Sequence, residues 1–134
     1  MLTTSVLNNL KTYLLEKDDS LVIHLLEPYG ATGINPELYI YPSVHVYEPF
    51  GITQHNELFV INVVVEVTVT DEASYNTLLD YADTILEYIK DDFSTVVLNN
   101  VPFIVRQVEM NYTESNEDDS IKRIVISITF NQPK

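Results

Sequence analysis

The chain has 134 residues, no cysteine and a net charge of −13, with 20 acidic against 7 basic residues. This length predicts a single domain over residues 1–134, and without cysteine its stability must come from packing rather than from disulfides or thiolate metal sites. The acidic balance argues against a protein that grips a nucleic-acid backbone or an anionic membrane, since both need clustered Lys and Arg.

The first 17 residues have the pattern of an amphipathic helix. Thr3 or Thr4 can cap it, and apolar residues recur at helical spacing: Val6, Leu7, Leu10, Tyr13 and Leu14. The segment lacks the basic start and apolar block of a secretion signal. No apolar run approaches the roughly 20 residues that span a bilayer. We therefore expect a soluble, cytoplasmic protein whose first helix packs on a sheet.

The next segment predicts short strands separated by turn residues. Leu21 to Leu26 is apolar apart from His24 and predicts a short strand or the approach to one. A loop follows that contains Pro28, Gly30, Gly33 and Pro36. Leu38 to Tyr41 and Val44 to Tyr47 then predict two short strands on either side of Pro42.

A turn-rich segment, Glu48 to Asn56, connects these strands to the long strand that follows. Its Pro, Gly and Asn residues favour a hairpin loop. The loop carries two apolar residues, Phe50 and Ile52, and Tyr47 precedes it. Because tyrosine and exposed apolar side chains are enriched at protein interfaces, we predict that these three residues contact a neighbouring subunit or partner.

Leu58 to Lys90 predicts a long strand followed at once by a helix. From residue 59 the odd positions are all apolar: Phe59, Ile61, Val63, Val65, Val67 and Val69. Asp71, Glu72 and Ser74 suit a helix N-terminus, and apolar residues then recur at helical spacing. At about 3.3 Å per residue the strand could reach roughly 40 Å. Something must cover a strand of that length, and a neighbouring subunit is one candidate.

The last part of the chain predicts a hairpin. Pro102 to Thr113 is a strand with Ile104, Val108, Met110 and Tyr112 on one side. Ile121 to Phe130 is its partner, with Ile124, Ile126, Ile128 and Phe130 on one face. The order of elements predicts an α+β fold: an antiparallel or mixed β-sheet with a long central strand, packed by the N-terminal helix and a second helix between strands.

The sequence predicts no catalytic, metal or cofactor site. His24, His45 and His55 have no partner at the spacing of metal-binding motifs, so we interpret them as packed, surface or loop residues. Asp80 and Asp83 form one of many carboxylate pairs, but exposed helical carboxylates rarely have the separated pKa values that acid/base catalysis needs. We therefore expect a protein that is not an enzyme.

Several segments together resemble the tail terminator, or tail-to-head joining, proteins of tailed phages. Besides the helix-first layout, they are the runs Pro36 to Pro42, Val63 to Asp71, Tyr75 to Ile85 with Tyr81-Ala82-Asp83, Val108 to Tyr112, and Ile126 to Phe130. The resemblance implies a hexameric ring that caps the tail tube, stops its elongation and joins it to the head connector. It implies a virion protein of the tail or neck, assembled in the host cytoplasm, whose partners are itself, the tail tube protein and the connector.

The resemblance also implies that DNA passes through the ring without sequence-specific binding, with no cofactor, membrane or catalysis involved. The acidic residues Glu114, Glu117, Asp118 and Asp119 face either this channel or solvent. Other readings stay open. The chain could be another phage neck or tail-completion protein, a small acidic cytoplasmic adaptor, or an acidic enzyme that uses a carboxylate pair.

Overall fold

The computed structural model describes residues 2–30, 32–49, 51, 55–90, 104–112 and 120–133. Its elements are α1 (Leu2–Lys17), β1 (Ile23–His24), β2 (Glu37–Pro49), β3 (His55–Thr68), α2 (Glu72–Lys90), β4 (Ile104–Asn111) and β5 (Ile121–Pro133). Over these residues the strands form one sheet in the order β1-β2-β3-β5-β4. β1 is parallel to β2, and every other neighbouring pair is antiparallel. The predicted α+β fold is confirmed.

The hydrophobic core lies between the two helices and one face of the sheet. The odd positions of β3 from Phe59 to Val67 are at most 1% exposed, as the alternation predicts. Their neighbours on β5 are equally buried: Ile124, Ile126, Ile128 and Phe130. Val6, Leu10 and Leu14 of α1 and Leu78, Ala82 and Ile85 of α2 belong to the same core. We call this side of the sheet the helix-covered face and the opposite side the outer face.

The first helix and the early strands differ from the sequence prediction in two places. α1 begins at Leu2, so Thr3 and Thr4 lie in its first turn instead of capping it. The apolar segment contains the short strand it predicts, at Ile23 and His24. The two short strands predicted around Pro42 are one strand, β2, whose pairing with β3 shifts between Pro42 and Val44. This bulge lets the strand continue past a residue without an N–H group.

The predicted grouping of side chains on one side of β4 is only partly correct. Val108 and Met110 pack against the core, as does Val105, whereas Ile104 is 57% exposed. The register with β5 shifts between Val105 and Gln107, so one extra residue reverses the alternation along the strand. Tyr112 is also exposed and lies just beyond the strand. Ile104 and Tyr112 therefore do not belong to the core.

The start of α2 shows the predicted capping. Asp71 accepts a hydrogen bond from the backbone N–H of Ser74 at 2.8 Å, and the Ser74 hydroxyl accepts from the Asp71 N–H at 3.1 Å. The bond that the carboxylate receives from the Ser74 backbone N–H is the main cause that holds the pKa of Asp71 below its usual value. The reciprocal hydrogen bonds between Asp71 and Ser74 fix the residue at which the helix begins after β3.

Candidate interaction surface

Glu66 is a fully buried carboxylate on the outer face of the sheet. It stands on β3 between Val65 and Val67, whose side chains enter the core on the opposite face. Arg123, its register partner on β5, donates from Nε to Glu66 Oε2. Thr32 donates from Oγ1 to Glu66 Oε1 at 2.7 Å. Both carboxylate oxygens therefore have a partner, which a buried charge requires.

Thr32 fastens the loop between β1 and β2 across the outer face. Its Oγ1 lies 2.9 Å from the hydroxyl of Tyr39. Because the single hydroxyl hydrogen of Thr32 is directed to Glu66, the Tyr39 hydroxyl is the donor to Thr32. The carbonyls of Thr32 and Gly33 accept bonds from the side chain and the N–H of Thr68, each at 2.8 Å. The loop is thereby tied to two strands of the sheet.

Tyr39 is held in its neutral form beneath this loop. Burial raises the pKa of Tyr39, the hydrogen bond with Thr32 opposes that rise, and the charge of Glu66 adds to it. The His24 ring stacks on Tyr39 with 4.8 Å between ring centroids. A neutral phenol is the donor that the hydrogen-bond chain through Thr32 to Glu66 needs. The role of this cluster is therefore to position the loop on the sheet.

Replacing Thr32 with Val should destabilise the fold by about 1–3 kcal/mol, because it leaves Glu66 Oε1 and the Tyr39 hydroxyl without their partner in a buried site. Urea unfolding followed by circular dichroism measures the change. The control is Thr32→Ser, which keeps the hydroxyl and should cost about 1 kcal/mol or less. Equal losses in the two variants would contradict the role assigned to the hydroxyl.

A row of polar side chains crosses the outer face at the middle of the sheet. Tyr41, Asn62, Ser127 and Glu109 are register neighbours on β2, β3, β5 and β4. Ser127 donates to Asn62 Oδ1 at 2.8 Å, and Asn62 Nδ2 donates to the Tyr41 hydroxyl at 3.3 Å. We call this set the polar row. It begins on β2 and ends on β4, the last strand of the sheet.

Beyond the polar row, toward the β2–β3 hairpin, the outer face carries apolar side chains on β2, β3 and β4, with Thr129 and Gln107 beside them. Val44 and Val46 of β2 are 42% and 37% exposed, Leu58 and Val60 of β3 are half-buried, and Ile104 of β4 is 57% exposed. We call these five residues the apolar patch. It contains no charged side chain, in a protein whose net charge is −13.

Asn131 lies within the apolar patch, in register with Leu58 on one side and Ile104 on the other. The residue is only 5% exposed, and its Oδ1 atom has no hydrogen-bond partner. A buried acceptor without a partner is costly, so Asn131 is a local violation of hydrogen-bond satisfaction among the described residues.

The structure describes only one of the residues predicted to make subunit or partner contacts. Tyr47, near the end of β2, is 59% exposed, as an interface residue must be. Phe50 and Ile52 lie outside the described residues, and so do the acidic residues Glu114, Glu117, Asp118 and Asp119. The assignments to an interface and to a channel therefore stay predictions.

The described histidine side chains form pairs with single carboxylates. His24 Nε2 lies 2.6 Å from Glu37 Oε1, and His45 pairs with Glu57 while its ring packs against Phe59. Across the described ranges no three His, Asp or Glu side chains gather in a way that could hold a metal ion. Nor do those ranges enclose a pocket or contain a helix long and apolar enough to cross a membrane.

Sequence reasoning missed the cluster around Glu66. The signal was a carboxylate within a run of valines, which predicts a buried charge that needs a partner. Its partners could not be identified from spacing, because Arg123 and Thr32 lie 57 and 34 residues away along the chain.

Comparisons with known proteins find similarity among solved structures and none by sequence. No protein-family model matches the chain, and no curated protein matches it by sequence. Among solved structures, it is similar to a chain from the virion of a native gene transfer agent particle, with 9% identity and a TM-score of 0.47. The alignment covers 96% of this chain and 94% of that one. At this TM-score the likeness carries no argument about function.

Proposed function

We propose that the chain is a structural subunit of a tailed-phage virion. It forms a ring that caps the tail tube, stops its elongation and offers the joining surface to the head connector. This is the role that the resemblance to tail terminators implies. The ring is a hexamer of the tail or neck, assembled in the host cytoplasm. Its partners are the tail tube protein and the connector, DNA passes through without sequence-specific binding, and no catalysis or cofactor is involved.

The observation that carries the proposal is the position of exposed apolar side chains at both lateral edges of the sheet. On one side they lie just before β1, on the loop that follows it and on β2: Val22, Leu26, Tyr29, Ile34, Val44, Val46 and Tyr47. On the other side they lie on and just after β4: Ile104 and Tyr112. A ring of identical subunits needs two different contact surfaces on each subunit. The acidic balance suits a conduit for DNA, since a negative wall repels phosphate.

The test is molar mass by light scattering over a wide concentration range, with negative-stain microscopy of the most concentrated sample. We expect closed rings with a central hole near the width of DNA, and we expect the purified protein to cap tail tubes and stop their growth in vitro. A protein that remains a monomer or dimer and leaves tube length unchanged would contradict the proposal and favour the acidic adaptor.

The same assay tests the predicted contact at the hairpin loop. Phe50→Asp should reduce the ring fraction by about tenfold or more, because a charge would replace an apolar contact residue. Tyr75→Asp is the matched control, since Tyr75 is an exposed aromatic residue on α2, away from both sheet edges. Unchanged assembly and tube capping by Phe50→Asp would refute the loop contact while leaving the ring intact.

A further inference from the structure

We infer that β4 of one copy lies antiparallel beside β2 of the next copy, so that the rows of the outer face continue from subunit to subunit. The occupant of each sheet edge is thus a second copy of this chain. The inference rests on the proposed function and deepens it, because it names the surfaces through which the ring closes.

The topology of the sheet sets the direction of this contact. β2, β3, β5 and β4 alternate in direction, so β2 and β4 run antiparallel to each other. Repeating the subunit around an axis along the strands therefore places β4 beside an antiparallel β2, the more stable form of pairing. β1 pairs with β2 only at Leu38 and Tyr39. The remainder of β2 has no strand on that side within the described part of the chain.

The ends of the polar row are chemically complementary. At the β2 edge the Tyr41 hydroxyl accepts from Asn62, which leaves its own hydrogen available to donate outward. At the β4 edge the row ends with the Glu109 carboxylate, an acceptor whose Oε2 takes one bond from Gln107 at 3.3 Å. When the rows of neighbouring copies line up without an offset along the strands, which we call the unshifted register, Tyr41 of one copy meets Glu109 of the next. A donor then faces a charged acceptor, which makes a strong hydrogen bond.

The apolar patch continues in the same register. Val46 and Ile104 end the row that crosses the sheet through Leu58 and Asn131, so they become neighbours across the contact. Both side chains are exposed in the isolated subunit and would be buried between copies. The patch is also uncharged, so two strongly acidic subunits meet there without direct repulsion between like charges.

The edges themselves limit how the strands can pair. Pro42 and Pro49 of β2 have no N–H to donate, and β2 and β4 each carry a shift in register. Such features protect an edge from indiscriminate pairing with other strands. Recognition between copies therefore depends on the side-chain rows.

The test uses one charged variant on each edge, Val46→Lys and Ile104→Lys, with Tyr75→Lys on α2 as the matched control. We expect each edge variant alone to associate at least about tenfold more weakly than wild type and to form no rings. An equimolar mixture should form a heterodimer, because β4 of the Val46→Lys chain and β2 of the Ile104→Lys chain are both intact. That heterodimer also shows that the two variants are folded.

Each outcome distinguishes the edge contact from the ring itself. If wild type forms rings and either edge variant still does, the edge contact is wrong and the proposed function survives. If the mixture stays monomeric while both variants are folded by circular dichroism, head-to-tail pairing is wrong. If wild type forms no rings, the proposed function and this contact both fail.

A double-mutant cycle tests the register. Within one subunit Tyr41 and Glu109 are separated by two strands, so coupling between them in the dissociation constant reports a contact between copies. We expect Tyr41→Phe and Glu109→Gln each to weaken association, and the combined effect to fall short of their product by about fivefold or more. Independent effects would overturn the unshifted register.

Discussion

Replacing Arg123 with Met should lower the free energy of unfolding by about 3–5 kcal/mol, the range for breaking a buried ion pair by removing one partner. Glu66 is fully buried, so its carboxylate cannot turn to water when the guanidinium is lost. Only the bond from Thr32 would remain on that side chain. Urea unfolding at neutral pH measures the loss.

Two further variants test whether the loss of stability comes from breaking the buried ion pair. Lys122→Met removes the neighbouring positive charge, which has no ion pair among the described residues, and should change stability by about 0.5 kcal/mol or less. The double variant Glu66→Leu with Arg123→Met should recover much of the loss, because a buried ion pair can often be replaced by apolar residues. An Arg123→Met loss no larger than that of Lys122→Met would contradict the buried pair.

The parts of the fold that depend on local pattern could be predicted from the sequence. The alternation from Phe59 to Val67 placed β3 and its buried side correctly, and the Asp71 to Ser74 pattern located the start of α2. The two errors of strand pattern share one cause. An extra residue at Ser43 in β2 and at Arg106 in β4 shifts the register, and such bulges leave no mark in the hydrophobic pattern.

The candidate surface depends on contacts between distant parts of the chain, which explains why so little of it was predicted. The polar row joins Tyr41 of β2 to Glu109 of β4 through two intervening strands, and only the strand order brings them into one line. The interface role of Tyr47 stays a prediction, and its exposure is what that role requires. Ile104 was predicted on the same side of its strand as Val108 and Met110, and the bulge at Arg106 moves it to the outer face, where the proposed contact uses it.

Replacing Phe130 with Ala should cost about 3–5 kcal/mol of stability, because the substitution leaves a cavity in the hydrophobic core. Phe130 is fully buried, and it faces its register partner Phe59 with 6.1 Å between ring centroids. Phe130→Leu keeps most of the volume and should cost about 1.5 kcal/mol or less. Tyr75→Ala, at an exposed aromatic position, should cost about 0.5 kcal/mol. Urea unfolding of the three variants measures the differences.

The same variant bears on how the sheet supports assembly. Phe130 is followed by Asn131, and Phe59 follows Leu58, so the aromatic pair lies on the helix-covered face directly behind the apolar patch. Loss of packing there should loosen the strands that hold the patch in register, whereas Val46→Lys changes the contact and leaves the core intact. Phe130→Ala should therefore weaken both folding and association, and Val46→Lys association alone. If Phe130→Ala unfolded the chain no more readily than Tyr75→Ala, the aromatic pair would not be the packing centre behind the patch.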